Sequence, residues 1–330
     1  MTRPFELPES PRILTFVSRD TVEDGLVHLP YLRALRHAFP SGRLTWLVGQ
    51  GPSGFRGALA PLAAGLIDQV VDTVPIEGRL GELLNRPLAG EQFDLVIDGQ
   101  RQVMVGLVLK RIRSRHFLAA ARRPVAGSAI ADLLWLVEQA TGLPAKPAAP
   151  LALSAEVRAA ARALLPRGPT YVGLAPGAAD PALAWPVNEY VNIARVLEQN
   201  GNVPVFLLGL TERHWHEPIG AAVSTARFPM QHPSVEALAG APHLAIALAE
   251  RVGAALVNDG VFAHIAAAGG TPVVGLYGPT DPTWTAPIAT SLTALRAQDY
   301  GGDDLARIPP SAVLQAIQQM LWAGGRSRAS

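Results

Sequence analysis

The sequence predicts an α/β protein made of two doubly wound domains. Three observations carry that prediction. The chain has 330 residues, more than one compact domain usually takes. Short apolar runs suited to buried parallel strands alternate with helical patterns twice over. Between the two series, residues 144–150 combine proline and alanine around Lys146, the composition of a stiff exposed linker or crossing segment. The expected division is therefore 1–150, 151–310 and a terminal segment 311–330.

In the first domain, residues 13–17 are an apolar run that suits a buried parallel strand, followed by a polar stretch over 18–23. A helical pattern continues through Leu26, Leu29, Leu32 and Leu35 towards Pro40, with Pro30 marking a first turn or a kink. Residues 44–48 read as the next strand. The clearest strand of this half is 93–97, β-rich and apolar. It delivers Asp98, Gly99, Gln100 and Arg101 to its carboxyl end, the side on which open α/β sheets bind ligands. An apolar helix over 104–109 ends in the basic run Lys110, Arg111, Arg113 and Arg115.

In the second domain, a helix over 154–165 precedes a strand at 171–174, which leads into Pro176, Gly177, Ala178 and Ala179. A helix follows over 188–199. The strand at 203–208 ends at Gly209 and leads to Glu212. Residues 244–252 are helical, 254–257 are a strand, and 261–268 are a short helix after the turn Asn258, Asp259, Gly260. The strand 273–276 leads to Gly278, Pro279, Thr280, Asp281 and Pro282. Val313, Leu314, Ile317 and Leu321 lie three or four apart and give an amphipathic helix free to pack on either domain, the first included. The small, basic tail from Gly324 is expected to be disordered.

Composition excludes several classes of function. Charged residues are 17% of the chain and the net charge is +1, so no global field recruits a polyanion and nucleic acid is not an expected partner. Cysteine is absent, which excludes disulfides, thiolate nucleophiles and sulfur-ligated metals. Residues 1–12 hold Arg3, Glu6, Glu9 and three prolines without an apolar signal-peptide core, and no uninterrupted apolar run reaches the roughly 18 residues a membrane span needs. These features predict a cytoplasmic location, with peripheral contact at the inner membrane left open.

The candidate chemistry lies at strand ends. In a parallel second sheet, residues 176–178, 209–212 and 258–260 reach the same edge, where helix amino termini and small residues admit a diphosphate without any lysine. Taken singly these signals are weak: a glycine after a strand is usually a turn residue and a strand-end aspartate commonly caps a helix. His264 follows Asp259 by five residues, too far for a metal pair at helical spacing. No glycine-rich dinucleotide fingerprint follows residues 13–17, the Gly-Lys-Ser/Thr phosphate loop is missing, and no Asp-x-Asp pair at a strand end offers a divalent cation a seat. No cofactor and no metal are expected.

Several motifs in order along nearly the whole chain resemble the bacterial heptosyltransferase family, which transfers heptose from an ADP-sugar to the lipopolysaccharide inner core. They are Asp24 followed by Leu29-Pro30-Tyr31-Leu32-Arg33-Ala34-Leu35, the strand 93–97 with Asp98, Pro176-Gly177-Ala178, Trp185-Pro186, Leu207-Leu208-Gly209, Asn258-Asp259 with His264, and Gly278-Pro279-Thr280-Asp281-Pro282. The resemblance implies two Rossmann-like domains facing a central cleft, the GT-B type, with acceptor on the first domain and nucleotide diphosphate sugar on the second. It also implies metal-independent inversion at the sugar, with a cell-surface glycan or lipid-linked acceptor. On this reading Asp24 is the catalytic base. Gly177, Ala178, Trp185, Glu212, Asp259, Gly260 and His264 are donor-side candidates, and Glu23, Asp98, Gln100 and Arg101 are acceptor-side ones.

The departures from the family pattern are clustered. Glu23 replaces a glycine and sets a second carboxylate beside Asp24. A lysine before the Trp-Pro pair has become Ala182 or Leu183, hydroxyl residues after Gly177 are Ala178 and Ala179, and residues 260–263 depart from Thr-Gly-Pro-Met. Such losses favour either an altered donor or a non-catalytic relative that serves as an interaction or assembly protein. The basic run reads as a solvated helix end or as a face for phosphates of a lipid-linked acceptor or the inner-membrane surface, with His116 and Phe117 after it offering a start for the next strand. Tyr31, Trp46, Trp185 and Trp284 divide between core packing and stacking on a base or sugar.

Overall fold

Runs of apolar residues long enough to bury both faces of a strand seed two separate parallel sheets. The computed structural model describes residues 5–124, 127–238 and 240–329, with side chains described to residue 323. The chain divides into two units, Met1–Ala152 and Leu153–Ser330. The first unit runs β1 (Arg12–Val17), α1 (Val22–Ala38), β2 (Arg43–Val48), α2 (Ala60–Ala63), β3 (Gln69–Val71), β4 (Gln92–Asp98), α3 (Val103–Leu109), β5 (Arg113–Ala119) and α4 (Ala129–Thr141). Its sheet has the order β3-β2-β1-β4-β5 with every pairing parallel. The order reverses between β1 and β4, so their carboxyl ends flank the crevice where such sheets take ligands. Leu14, Phe16, Leu47 and Val96 on one face pack with Val105, Val108 and Leu109 of α3.

The second unit runs α5 (Ala155–Leu164), β6 (Tyr171–Ala175), α6 (Val187–Gln199), β7 (Val203–Phe206), α7 (His216–Ala222), α8 (Pro242–Ala249), β8 (Ala254–Asn258), α9 (Val261–Ala268), β9 (Val273–Tyr277), α10 (Pro282–Thr285), β10 (Leu292–Arg296) and α11 (Pro310–Ala329). Its order is β10-β9-β8-β6-β7, again all parallel, with the reversal between β6 and β8. Val172, Leu174, Leu256, Val274 and Leu276 pack with Tyr190, Ile193 and Leu197 of α6 and with Val313 and Ile317 of α11. The terminal helix therefore belongs to the second unit's core.

Four local outcomes refine the sequence reading. Pro30 lies inside α1, beyond its first turn, and the helix continues to Ala38. The segment 144–150 is exposed at residues 144, 146, 148 and 150, but it is anchored at Ala149, which is buried and whose carbonyl accepts a hydrogen bond from Arg33 Nε at 2.7 Å. The basic run is split, because α3 ends at Leu109 whereas Arg113 and Arg115 lie on β5, an edge strand where exposed charge discourages further pairing. The tail expected to be disordered continues α11 to Ala329, with the side chains of 324–330 outside the described residues.

Candidate functional site

The first unit collects polar groups at the carboxyl ends of β1 and β4. Thr21 caps α1 and forms a capping box with Asp24 at the third helical position: Thr21 Oγ1 accepts the Asp24 N–H at 3.2 Å, and Asp24 Oδ2 accepts the Thr21 N–H at 3.2 Å. The Thr21 hydroxyl also donates to Oδ2 at 2.9 Å. Both oxygen contacts of Asp24 use Oδ2, so Oδ1 takes no part in the box, and the free N–H groups of the first helical turn favour its negative charge. Glu23, the departure beside it, is exposed.

A residue that the sequence reading left among loop residues supports this corner. Asp20 is fully buried, and its Oδ2 accepts hydrogen bonds from Trp46 Nε1 at 3.1 Å and from the Ser53 hydroxyl. Its Oδ1 lacks a hydrogen-bond partner and stands 3.9 Å from His28 Nδ1, which also lacks one. A Cβ on Gly25 would run into Leu59 Cδ1 and stand 3.2 Å from Asp20 Oδ1, so glycine lets the loop after β2 close over α1. A cavity of about 710 Å³ opens here, lined by Arg19, Asp20, Thr21, Gln50, Ser53 and Arg56 among others. The signal for Asp20 was its place in the strand-to-helix loop four residues before Asp24; its partners are 26 and 33 residues away and are joined to it only by the fold.

At the end of β4, Asp98 is buried, with Oδ1 accepting the Gln100 N–H at 2.9 Å. Desolvation pushes its carboxyl up to about 7, against the opposing effect of that bond. Arg101 is committed to Asp132 by a bidentate pair, Nε to Oδ2 at 2.7 Å and Nη2 to Oδ1 at 3.1 Å, and Arg123 Nη1 reaches the same carboxylate at 2.7 Å. Burial raises the Asp132 carboxyl, but the two guanidiniums outweigh it and hold that group below its ordinary range. Two cations over one anion leave net positive charge beside Gln100, suited to an anionic acceptor group.

In the second unit, the parallel sheet brings the ends of β6, β7 and β8 to one edge. Glu212 lies across two glycines: a Cβ on Gly177 would stand 2.9 Å from its Cδ, and one on Gly209 would stand 2.5 Å from its Oε2. The Thr211 hydroxyl donates to Glu212 Oε1 at 2.7 Å. Asn258 locks the crevice open at its base, with Nδ2 donating to the Pro176 carbonyl at 2.8 Å and Oδ1 accepting the Trp185 N–H at 3.1 Å and the Tyr190 hydroxyl at 3.0 Å. Next in sequence, buried Asp259 accepts the Thr285 hydroxyl at 3.0 Å. Burial first and the Asp259 charge second push the Tyr277 phenol above its ordinary range.

Gly260 caps α9 with φ 157° and ψ −165°, backbone that side chains rarely adopt, and leaves open space above its Cα. The N-terminal N–H groups of α9 thus lie beside Asp259 and can hold an anion. His264 is half-buried on α9 and Ala178 half-buried after β6. Trp185 is the correction among the donor candidates. It is 1% exposed, packs edge-on against Tyr190 and gives its indole N–H to the Ile308 carbonyl at 3.2 Å, so it shapes the crevice from beneath and cannot stack on a ligand. Tyr31 and Trp46 are buried as well, whereas Trp284 on α10 is exposed. Among the described residues, no group of three or more His, Asp or Glu side chains is arranged to hold a metal ion, and no helix is long and apolar enough to cross a membrane.

Comparison with known proteins gives a consistent result. The sequence profile of glycosyltransferase family 9 (heptosyltransferase) matches residues 83–308. Lipooligosaccharide heptosyltransferase 2 of Haemophilus influenzae is 35% identical over 128 residues, 38% of this chain and 36% of that protein. Lipopolysaccharide heptosyltransferase 2 of Salmonella typhimurium is 31% identical over 170 residues, 47% of each chain. The matched stretches thus span about a third to a half of these curated relatives. In three dimensions, the crystal structure of the glycosyl transferase family 9 protein from Veillonella parvula superposes with a TM-score of 0.71 over 97% of this chain and 100% of that one, at 17% identity, which establishes a shared two-Rossmann-domain fold.

Proposed function

Since the chain belongs to glycosyltransferase family 9 (heptosyltransferase), we propose that it moves a sugar, heptose or a related one, from a nucleotide diphosphate donor to a cell-surface glycan or lipid-linked acceptor, with inversion and without a metal ion. The observation that carries this reading is the convergence of Gly177, Gly209, Glu212, Asp259 and the α9 amino terminus on one edge of the second sheet, at its topological switch point. The Glu212 carboxylate suits the vicinal hydroxyls of a ribose, the α9 N–H groups suit the diphosphate, and Asp259 suits a sugar hydroxyl. Asp24 takes the proton of the acceptor hydroxyl as that oxygen bonds to the anomeric carbon. The bond from that carbon to the diphosphate oxygen breaks on the opposite face, and the diphosphate leaves as the anion.

The clustered replacements at Ala178, Ala182, Leu183 and residues 260–263 favour a second reading, a family member that binds partners without turning over a donor. Each charged hydrogen bond lost is worth about 1.5 to 3 kcal/mol, so the usual donor should bind weakly. Titration against ADP, GDP, UDP, CDP and dTDP and their sugar conjugates decides between the two. The transferase reading expects one base to be preferred, binding to weaken at least tenfold on Asp259→Ala, and turnover to vanish on Asp24→Asn with binding retained. Absence of binding by a folded sample selects the non-catalytic reading, and full turnover by Asp24→Asn removes Asp24 as the base.

A further inference from the structure

A second surface of the first unit carries apolar groups that its core leaves uncovered. Leu80 and Leu84, on a 3₁₀ segment over residues 80–84, are 76% and 86% exposed, and Val103 and Leu107, one turn apart on α3, are 73% and 41% exposed. The two segments run side by side. At one end, a Cβ on Gly78 would stand 3.2 Å from Val105 Cγ2 and 3.4 Å from Met104 Cβ. At the other, Arg111 Nε donates to the Asn85 carbonyl at 2.9 Å and Arg86 Nε donates to the Arg111 carbonyl at 3.1 Å. The inner residues Val105, Val108, Leu109 and Leu83 face the core, so the two exposed pairs are what this double ridge presents outward.

The charge around the ridge is in excess positive. Arg86 and Arg111 hydrogen-bond carbonyls, and Lys110 stands 5.8 Å from the centre of the Phe117 ring; none of the three has a carboxylate partner among the described residues. Of the nearby carboxylates, Glu77 pairs with Arg79, and Glu82, whose oxygens accept the N–H groups of Glu77 and Gly78 at 3.0 to 3.1 Å, sets one negative charge against these three positive ones. Four aliphatic side chains rimmed by unneutralised cations match the boundary of an anionic bilayer, where methyl groups enter the acyl layer and cations meet phosphates. A protein partner of the ordinary kind would call for aromatic anchors, which the ridge lacks.

We propose that the ridge formed by residues 80–84 and α3 docks this protein on anionic phospholipid surfaces. Binding is peripheral, through a few inserted side chains and a basic rim. The assignment is independent of nucleotide binding by the second unit, so failure of either leaves the other standing.

The test is co-sedimentation of the full chain with vesicles of phosphatidylcholine containing phosphatidylglycerol, compared with phosphatidylcholine alone. Wild type should partition onto the anionic vesicles and release as salt rises. The double variant Leu84→Ser, Leu107→Ser should lose about tenfold or more in partitioning with an unchanged circular dichroism spectrum, because neither side chain is buried. Lys110→Gln should lose about fivefold on anionic vesicles and nothing on neutral ones. Equal partitioning of wild type and double variant, or no wild-type binding to either vesicle, overturns the proposal. So does concentration-dependent dimerisation of wild type that the double variant abolishes, which would give the ridge to a second copy of the chain.

Discussion

At the scale of single residues, burial decides which carboxylates can change charge near neutrality. Asp98 has its carboxyl raised by desolvation to about 7. A raised folded-state value means that the folded chain holds the proton more tightly than the unfolded one, so the stability tied to this group is present below about pH 4 and is lost as pH rises to about 7. Asp98→Asn keeps an oxygen for the Gln100 N–H and removes the titration. Thermal unfolding from pH 5 to 8 should therefore be flatter for the variant, which should be the more stable protein at pH 8, by on the order of a few kcal/mol. An unchanged slope would mean that water reaches the carboxylate. Gly209 is the counterpart in the second unit. The atom its Cβ would meet is the end of the flexible Glu212 side chain, so Gly209→Ala should shift unfolding by less than about 1 kcal/mol. It should nevertheless weaken nucleotide binding as much as Glu212→Ala does, because the carboxylate is driven from its seat. Titration of both variants with the preferred nucleotide checks this.

At the scale of elements, one side chain ties three of them together. Asn258 at the end of β8 holds the Pro176 carbonyl after β6 and the Trp185 N–H and Tyr190 hydroxyl at the start of α6. Removing it leaves buried donors and an acceptor unpaired. Asn258→Ala should cost about 3 kcal/mol in denaturant unfolding and abolish nucleotide binding even where the variant remains folded. Asn258→Asp should cost at least as much, since it keeps both acceptor contacts but sets a buried carboxylate oxygen against the Pro176 and Gly177 carbonyls to which Nδ2 donates. In the first unit the capping box serves the same end by different means: Thr21 fixes the start of α1 and holds Asp24 by one oxygen. The role proposed for Asp24 as a base and its observed role as a cap are thus compatible, because the cap leaves Oδ1 uncommitted.

At the scale of the molecule, each unit closes its own parallel sheet, and the cluster of buried apolar residues around α3 shares no member with the one around α6 and α11. A chain of residues 153–330 contains every strand of the second sheet and the α11 face that covers it. Expressed alone, it should unfold in one cooperative transition and bind the nucleotide preferred by the full chain within about tenfold of the full affinity. Calorimetry and titration of that fragment check both halves of the expectation. A fragment that folds without binding would place essential donor contacts outside the second unit.

The sequence by itself determined the two-unit α/β architecture, the central strands and most of the polar residues at their ends. Strands such as β4, β6, β8 and β9 are buried on both faces and announce themselves as apolar runs without any partner being known. It did not reveal β3 or β10, and it offered only His116 and Phe117 as a start for β5. β3 has three residues and the other two are half-exposed edge strands, so none has an apolar run of its own, and each forms because a neighbouring strand offers a ladder. Family motifs brought Asp24, Glu212 and Asp259 to notice, but only the tertiary structure separated Trp185, consumed by the core, from Glu212, seated over Gly177 and Gly209. It also supplied Asp20 and the exposed ridge beside α3. The physical reason is the same in each case. Hydrophobic periodicity is local and can be read along the chain, whereas strand order, the satisfaction of a buried polar group and the exposure of an apolar one depend on residues that only folding brings together.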